Sequence, residues 1–161
     1  MQSSSRSGSR IRSAAVGGWF GSLLASIMIV CSARAADVPH FTSPLDDSPL
    51  EIRLLPDETL TEGVQKFYRT GENPYRGDPQ ALAQGKDLYQ TICQVCHMPN
   101  GSGRVGPSLI GDTHRYPRFM TDKGMFEIVY GGATGAMQAF GKRLTQDQIL
   151  CVMAYVRALK K

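Results

Sequence analysis

The stretch Cys93-Gln94-Val95-Cys96-His97 decides how this chain is read. Two cysteines three apart, with a histidine directly after the second, form the C-x-x-C-H spacing of a covalent haem attachment site. Each thiol can add across one vinyl group on the same porphyrin edge, and the histidine on the same turn then reaches one axial face of the iron. Two other chemistries share part of this pattern. A redox dithiol needs C-x-x-C but no histidine, and a structural zinc site needs two further ligands at suitable spacing. Cys31 and Cys151 stand alone, and His40 and His114 are far apart with no partner spacing. The haem reading therefore leads, and a group of that size would fill the middle of a small domain.

Working outward, Asp78-Pro79 reads as an N-cap followed by proline at the first helical position. The helix it opens carries Leu82, Gly85, Leu88, Tyr89 and Ile92 at spacings of three and four. Gly85 costs up to about 1 kcal/mol inside a helix, so the close approach of another helix is expected there. The partner is the last helix, opened by the capping box Thr145-Gln146-Asp147-Gln148 and expected to run to about Lys160. Its apolar stripe is Ile149, Val152, Met153, Val156 and Leu159, with Cys151 as a buried spectator thiol. Between the two, Asp122 is expected to cap a third helix through Met125, Phe126, Ile128, Val129 and Tyr130, which Gly131-Gly132 ends. No strand pattern competes, so the domain is expected to be all-α.

The second axial ligand separates a closed electron-transfer centre from an open, reactive one. Met137 is the candidate. It lies in the small-residue loop Gly131-Gly132-Ala133-Thr134-Gly135-Ala136-Met137-Gln138-Ala139-Phe140-Gly141, which can lie flat against a porphyrin. Met125 and Met153 sit on helical apolar faces as core filler, Met98 is too near the attachment motif, and Met120 is the rival. His97 and Met137 are thus the candidate metal ligands, with Cys93, Cys96 and Pro107 completing the cofactor-binding set. Pro107, in Gly106-Pro107-Ser108-Leu109, offers a rigid carbonyl to the second ring nitrogen of His97.

At the other end, Arg6, Arg10 and Arg12 precede an apolar run from about Ala14 to Val30, and Ala33-Arg34-Ala35 is a small-x-small cleavage site. Residues 1–35 read as a signal peptide, with Cys31 lost alongside it. The rival is an uncleaved membrane anchor through 14–33. Residues 36–76 read as an acidic, proline-rich extended arm with a short helix over Thr61 to Thr70, and 77–161 as the haem domain. Signal removal lowers 18 bases to 14 against 14 acids, so the formal +4 becomes zero. The balance is uneven, with −6 over residues 36–62 and +6 over 63–161. The arm could steer docking, fold back on its own domain or remain solvated. The basic residues are scattered and no nucleic-acid motif accompanies them, so that class of function is set aside.

Gly85-x-x-x-Tyr89, the attachment motif, Gly106-Pro107-x-Leu109, the methionine loop and Val152-x-x-Tyr155 together resemble a class I cytochrome c. The resemblance implies a small helical fold around one covalent haem, with the first and last helices crossing at the glycine and aromatic positions. It also implies export, since covalent haem attachment in bacteria occurs outside the cytoplasm. Glu62-Gly63-Val64-Gln65-Lys66-Phe67, Thr70-Gly71-Glu72-Asn73-Pro74-Tyr75, Tyr116-Pro117 with Thr121-Asp122, and Gly131-Gly132-Ala133-x-Gly135-x-Met137 are similar to the cytochrome c-L family. Those are periplasmic electron acceptors of pyrroloquinoline-quinone (PQQ) methanol dehydrogenases. Gln138-Ala139-Phe140-Gly141 is more like the cytochromes paired with lanthanide-dependent enzymes. The resemblance implies a monomeric, non-enzymatic carrier that takes electrons from such a dehydrogenase and delivers them to a soluble cytochrome c or an oxidase. Two alternatives remain: a generic carrier serving another dehydrogenase or oxidase, and a haem sensor or peroxidase-like protein with an exchangeable sixth ligand. A calcium ion near the haem, as in some relatives, has no support in the sequence. The acceptors of the calcium-type enzymes are strongly acidic, and the basic haem domain here departs from them.

Overall fold

The computed structural model describes residues 40–111 and 114–159, so the candidate signal segment and cleavage site lie outside the described residues. Five α-helices run in order: α1 (Glu62–Thr70), α2 (Pro79–Leu88), α3 (Gln94–His97), α4 (Asp122–Gly131) and α5 (Gln146–Ala158). Among the described residues there is no β-strand, only an isolated antiparallel bridge between Thr42 and Pro49. None of these helices is long and apolar enough to cross a membrane.

The starts of the helices follow from side-chain oxygens that satisfy free N–H groups. Thr61 accepts from Val64 N, Asp78 accepts from Ala81 N with Pro79 inside the first turn, and Thr145 and Gln148 form a reciprocal capping box. At α4 the expected cap is displaced by one residue. Thr121, not Asp122, accepts from Gly124 N at 3.0 Å. The Asp122 carboxylate is instead turned inward, where it accepts from Asn73 N at 2.8 Å and from two nitrogens of Arg76, at 3.0 and 2.6 Å. Burial pushes this carboxyl up, but the bonds from Arg76 and Asn73 and the charges of Arg76 and Arg157 outweigh it and hold it below its ordinary value.

Helix α2 crosses α5 at Gly85. A Cβ there would collide with the Cys151 carbonyl, so only glycine permits this approach. Tyr89 and Tyr155 meet beside the crossing with ring centroids 5.4 Å apart. Cys151 is buried, and burial together with the Asp147 and Asp78 charges pushes its thiol up to about 12. The α2 helix does not continue unbroken to the attachment motif. Tyr89–Cys93 forms a wide π turn in which Gln94 N bonds Tyr89 O, and α3 follows. The extra residue in that turn re-aims the chain just where the two thiols must be presented. Likewise, α5 ends at Ala158 rather than Lys160, and Pro117–Met120 adds a 3-10 turn absent from the sequence reading.

The acidic arm folds back. Phe41 is buried against Phe67 of α1 and Phe126 of α4, at centroid separations of 5.9 and 5.4 Å. Each such ring contributes about 2 kcal/mol by burial. Polar contacts follow the ring inward. Thr42 N donates to Glu127 Oε1 at 2.8 Å, Arg118 pairs with both Asp47 of the arm and Glu127 of α4, and Arg53 N donates to the Tyr130 hydroxyl at 2.8 Å.

Candidate functional site

Cys93, Cys96 and His97 stand at the end of the π turn and on α3, and the chain leaves the helix at Met98, whose φ is 64°. The loop that follows curls back under the motif. Gly103 N donates to His97 O at 3.0 Å and Gly106 N to Cys96 O at 2.9 Å, while the Tyr89 hydroxyl donates to Met98 O at 2.8 Å. His97 is buried, and its Nδ1 lies 2.8 Å from Pro107 O. A carbonyl can only accept, so Nδ1 carries the proton of this bond and Nε2 is the ring nitrogen left to serve as a ligand. Gly106 packs flat against that ring, where a Cβ would stand 2.5 Å from His97 Cε1.

These groups line one side of a cavity of about 530 Å³. Ile92, Leu109, Phe119, Ile128, Phe140 and Val152 furnish apolar walls, and Met137 also lines the cavity. Thus all five residues singled out in the sequence (Cys93, Cys96, His97, Pro107 and Met137) border the same space. The Met137 loop leaves α4 at Gly132, with φ 80°, and returns through Phe140 N to Val129 O at 3.0 Å. Ala133 N donates to Met137 O at 3.1 Å across it. Met125, buried on α4, lines the cavity as well, whereas the rival Met120 is 53% exposed and does not.

The residues fit a covalently held haem. Both thiols are free and border an apolar cavity beside an imidazole whose Nε2 is available. Burial, with the Cys96 charge adding to it, pushes the Cys93 thiol up to about 11, whereas a redox dithiol works with a lowered value. Among the described residues no three His, Cys, Asp or Glu side chains converge on a metal position, as a zinc or carboxylate-bound calcium site would require.

Sequence reasoning missed what braces the Met137 side. The Tyr116 hydroxyl hydrogen-bonds Thr134 Oγ1 and accepts from Thr134 N at 3.2 Å. The Arg157 guanidinium donates to Phe119 O and lies 4.9 Å from the Phe119 ring centre. Tyr116-Pro117 and Thr121-Asp122 were visible as motif residues, but nothing in their spacing indicated these partners.

The chain belongs to the class I cytochromes c. Within them it is similar to cytochrome c-L of Methylorubrum extorquens, with 39% identity over 99 residues, covering 62% of this chain and 50% of that protein. The chain therefore spans about half the length of that curated relative. The crystal structure of cytochrome cL from the marine methylotrophic bacterium Methylophaga aminisulfidivorans matches at TM-score 0.73 and 37% identity, covering 76% of this chain and 81% of that one. Cytochrome cL from Hyphomicrobium denitrificans matches at TM-score 0.73 and 34% identity, covering 77% and 75%. Residues 80–156 also match the family described as cytochrome c oxidase, cbb3-type, subunit III. Haem c is accordingly the cofactor this family implies.

Proposed function

We propose that this protein is a monohaem c-type cytochrome that carries single electrons in the periplasm, from a PQQ-dependent methanol or alcohol dehydrogenase to a soluble cytochrome c or oxidase. The observation that carries the proposal is the convergence of Cys93, Cys96, His97 and Met137 on one apolar cavity, in a chain similar to cytochrome c-L over most of its length. When bound, haem c supplies one-electron ferric/ferrous chemistry. Cys93 and Cys96 would hold it through thioethers, His97 would offer Nε2 with its ring fixed by Pro107 O, and Met137 would supply a sulfur ligand. A soft, neutral thioether favours the reduced iron and raises the potential. The apolar walls would keep water from the group, and His97 and Met137 as its two ligands would leave no position for a substrate, as a carrier requires.

The basic haem domain supports a second reading, a carrier for a different dehydrogenase or an oxidase. Mixing the purified, haem-loaded protein with a lanthanide-loaded methanol dehydrogenase and methanol separates the two. Haem reduction within turnover time is expected, slowing as salt screens the encounter. No reduction at low salt would contradict the dehydrogenase as donor. Carbon monoxide added to the reduced protein is expected to shift the spectrum only slowly, at a rate limited by release of the Met137 sulfur; a shift complete on mixing would favour a sensor or peroxidase-like protein.

A further inference from the structure

We propose that Tyr116 is the positioning residue that keeps the Met137 loop closed, a role that rests on Met137 being the sixth iron ligand. Thr134, Gly135 and Ala136, the three residues before Met137, are exposed, and Gly135 has φ 89° with nothing within 4 Å of where a Cβ would sit. Burial therefore does not hold the tip of this loop. Among the described residues, Thr134 alone of these three hydrogen-bonds another part of the chain, and it bonds only Tyr116. Its amide and its hydroxyl both meet the Tyr116 hydroxyl, so one oxygen fixes the direction of the peptide as well as its distance. The tyrosine is itself well founded. Pro117 follows it at the start of the 3-10 turn, Phe119 N bonds Tyr116 O at 3.0 Å, and Phe119 is buried under the Arg157 guanidinium of α5. The loop is thus tied through Tyr116 to the last helix, and both Tyr116 and Thr134 border the cavity.

A ligand on a loop that is held at its tip by one side chain leaves the iron whenever that tie opens. Two hydrogen bonds at an exposed site shift such an opening equilibrium by about 3- to 10-fold. The test uses the full-length haem-loaded protein and its Tyr116→Phe, Thr134→Val, double and Met137→Ala variants. The readouts are the rate of carbon monoxide binding to the reduced form, the far-red absorption that a methionine sulfur gives ferric haem, and the thermal midpoint. Tyr116→Phe is expected to speed carbon monoxide binding by about 3- to 10-fold with little change in thermal midpoint. Thr134→Val, which keeps the amide bond, should have a smaller effect, and the double variant should be no faster than Tyr116→Phe alone. Rates equal to the parent in both single variants, with Met137→Ala binding carbon monoxide freely, would overturn the tie while leaving the ligand in place. An unchanged far-red band in Met137→Ala would instead overturn the ligand assignment, and the tie with it.

Discussion

The two sides of the cavity are built differently. On the His97 side, backbone does the holding: three amides of the returning loop donate to Cys96 and His97 carbonyls, Pro107 fixes the imidazole, and Gly106 packs against it. On the Met137 side the backbone spans an exposed tip, and side chains from elsewhere brace it, Tyr116 directly and Arg157 through Phe119. A motif that must be recognised and loaded benefits from local rigidity. The proposed ligand Met137, 40 residues after His97, can be positioned only by tertiary contacts.

Substitutions on the two sides should therefore fail in different ways. The largest contrast is between His97→Ala and Met137→Ala. Loss of His97 is expected to abolish accumulation of haem-loaded protein, while Met137→Ala should retain attached haem and admit carbon monoxide. Absorbance of haem per mole of protein reads both, and equal loading of the two would break the contrast.

Next is Gly106→Ala. Its Cβ would meet His97 Cε1 at 2.5 Å, so overpacking is expected to destabilise the protein by about 3 kcal/mol in denaturant titration.

The buried Asp122 carboxylate follows. It faces Arg76, Arg157 and the Asn73 amide, and the Arg157 guanidinium also braces Phe119 on the Met137 side. Its folded pKa lies below the ordinary value of 3.8, so the network contributes stability that is fully present above about that pH. That contribution is lost as pH falls through the lower folded value. Asp122→Asn is expected to cost about 2 kcal/mol at neutral pH and to flatten the acid limb of a stability-against-pH curve. An unchanged acid limb would remove Asp122 from the bracing.

The smallest effect is Gly135→Ala. There the space is open and only the positive φ resists a side chain, so the expected cost is about 1 kcal/mol. A larger loss there would mean that the loop tip is more tightly held than its exposure implies.

The same contrast explains what was legible in the sequence. C-x-x-C-H and the helix caps at Asp78 and Thr145 are local signals, each forced by chemistry within a few residues, and Gly85 was legible because glycine inside a helical pattern calls for a close partner. Met137 could be singled out because small residues surround it, and Pro107 because a ligating histidine needs an acceptor nearby. Thr121 displaced Asp122 as the cap because a threonine at that place can satisfy the first turn, which freed the carboxylate for a long-range partner that sequence spacing does not encode. Phe41 was hidden for a similar reason. A single aromatic residue in a proline-rich acidic stretch has no period, and only the space between Phe67 and Phe126 gives it a place in the core. The π turn was invisible because the apolar spacing from Leu82 to Ile92 is that of an ordinary helix.

The most direct test is the mass of the purified protein under denaturing conditions. A chain heavier than its polypeptide by one haem, with the increment absent from a Cys93→Ser/Cys96→Ser double variant, is the expected result. A polypeptide mass with no tetrapyrrole, from cells able to attach haem, would contradict it.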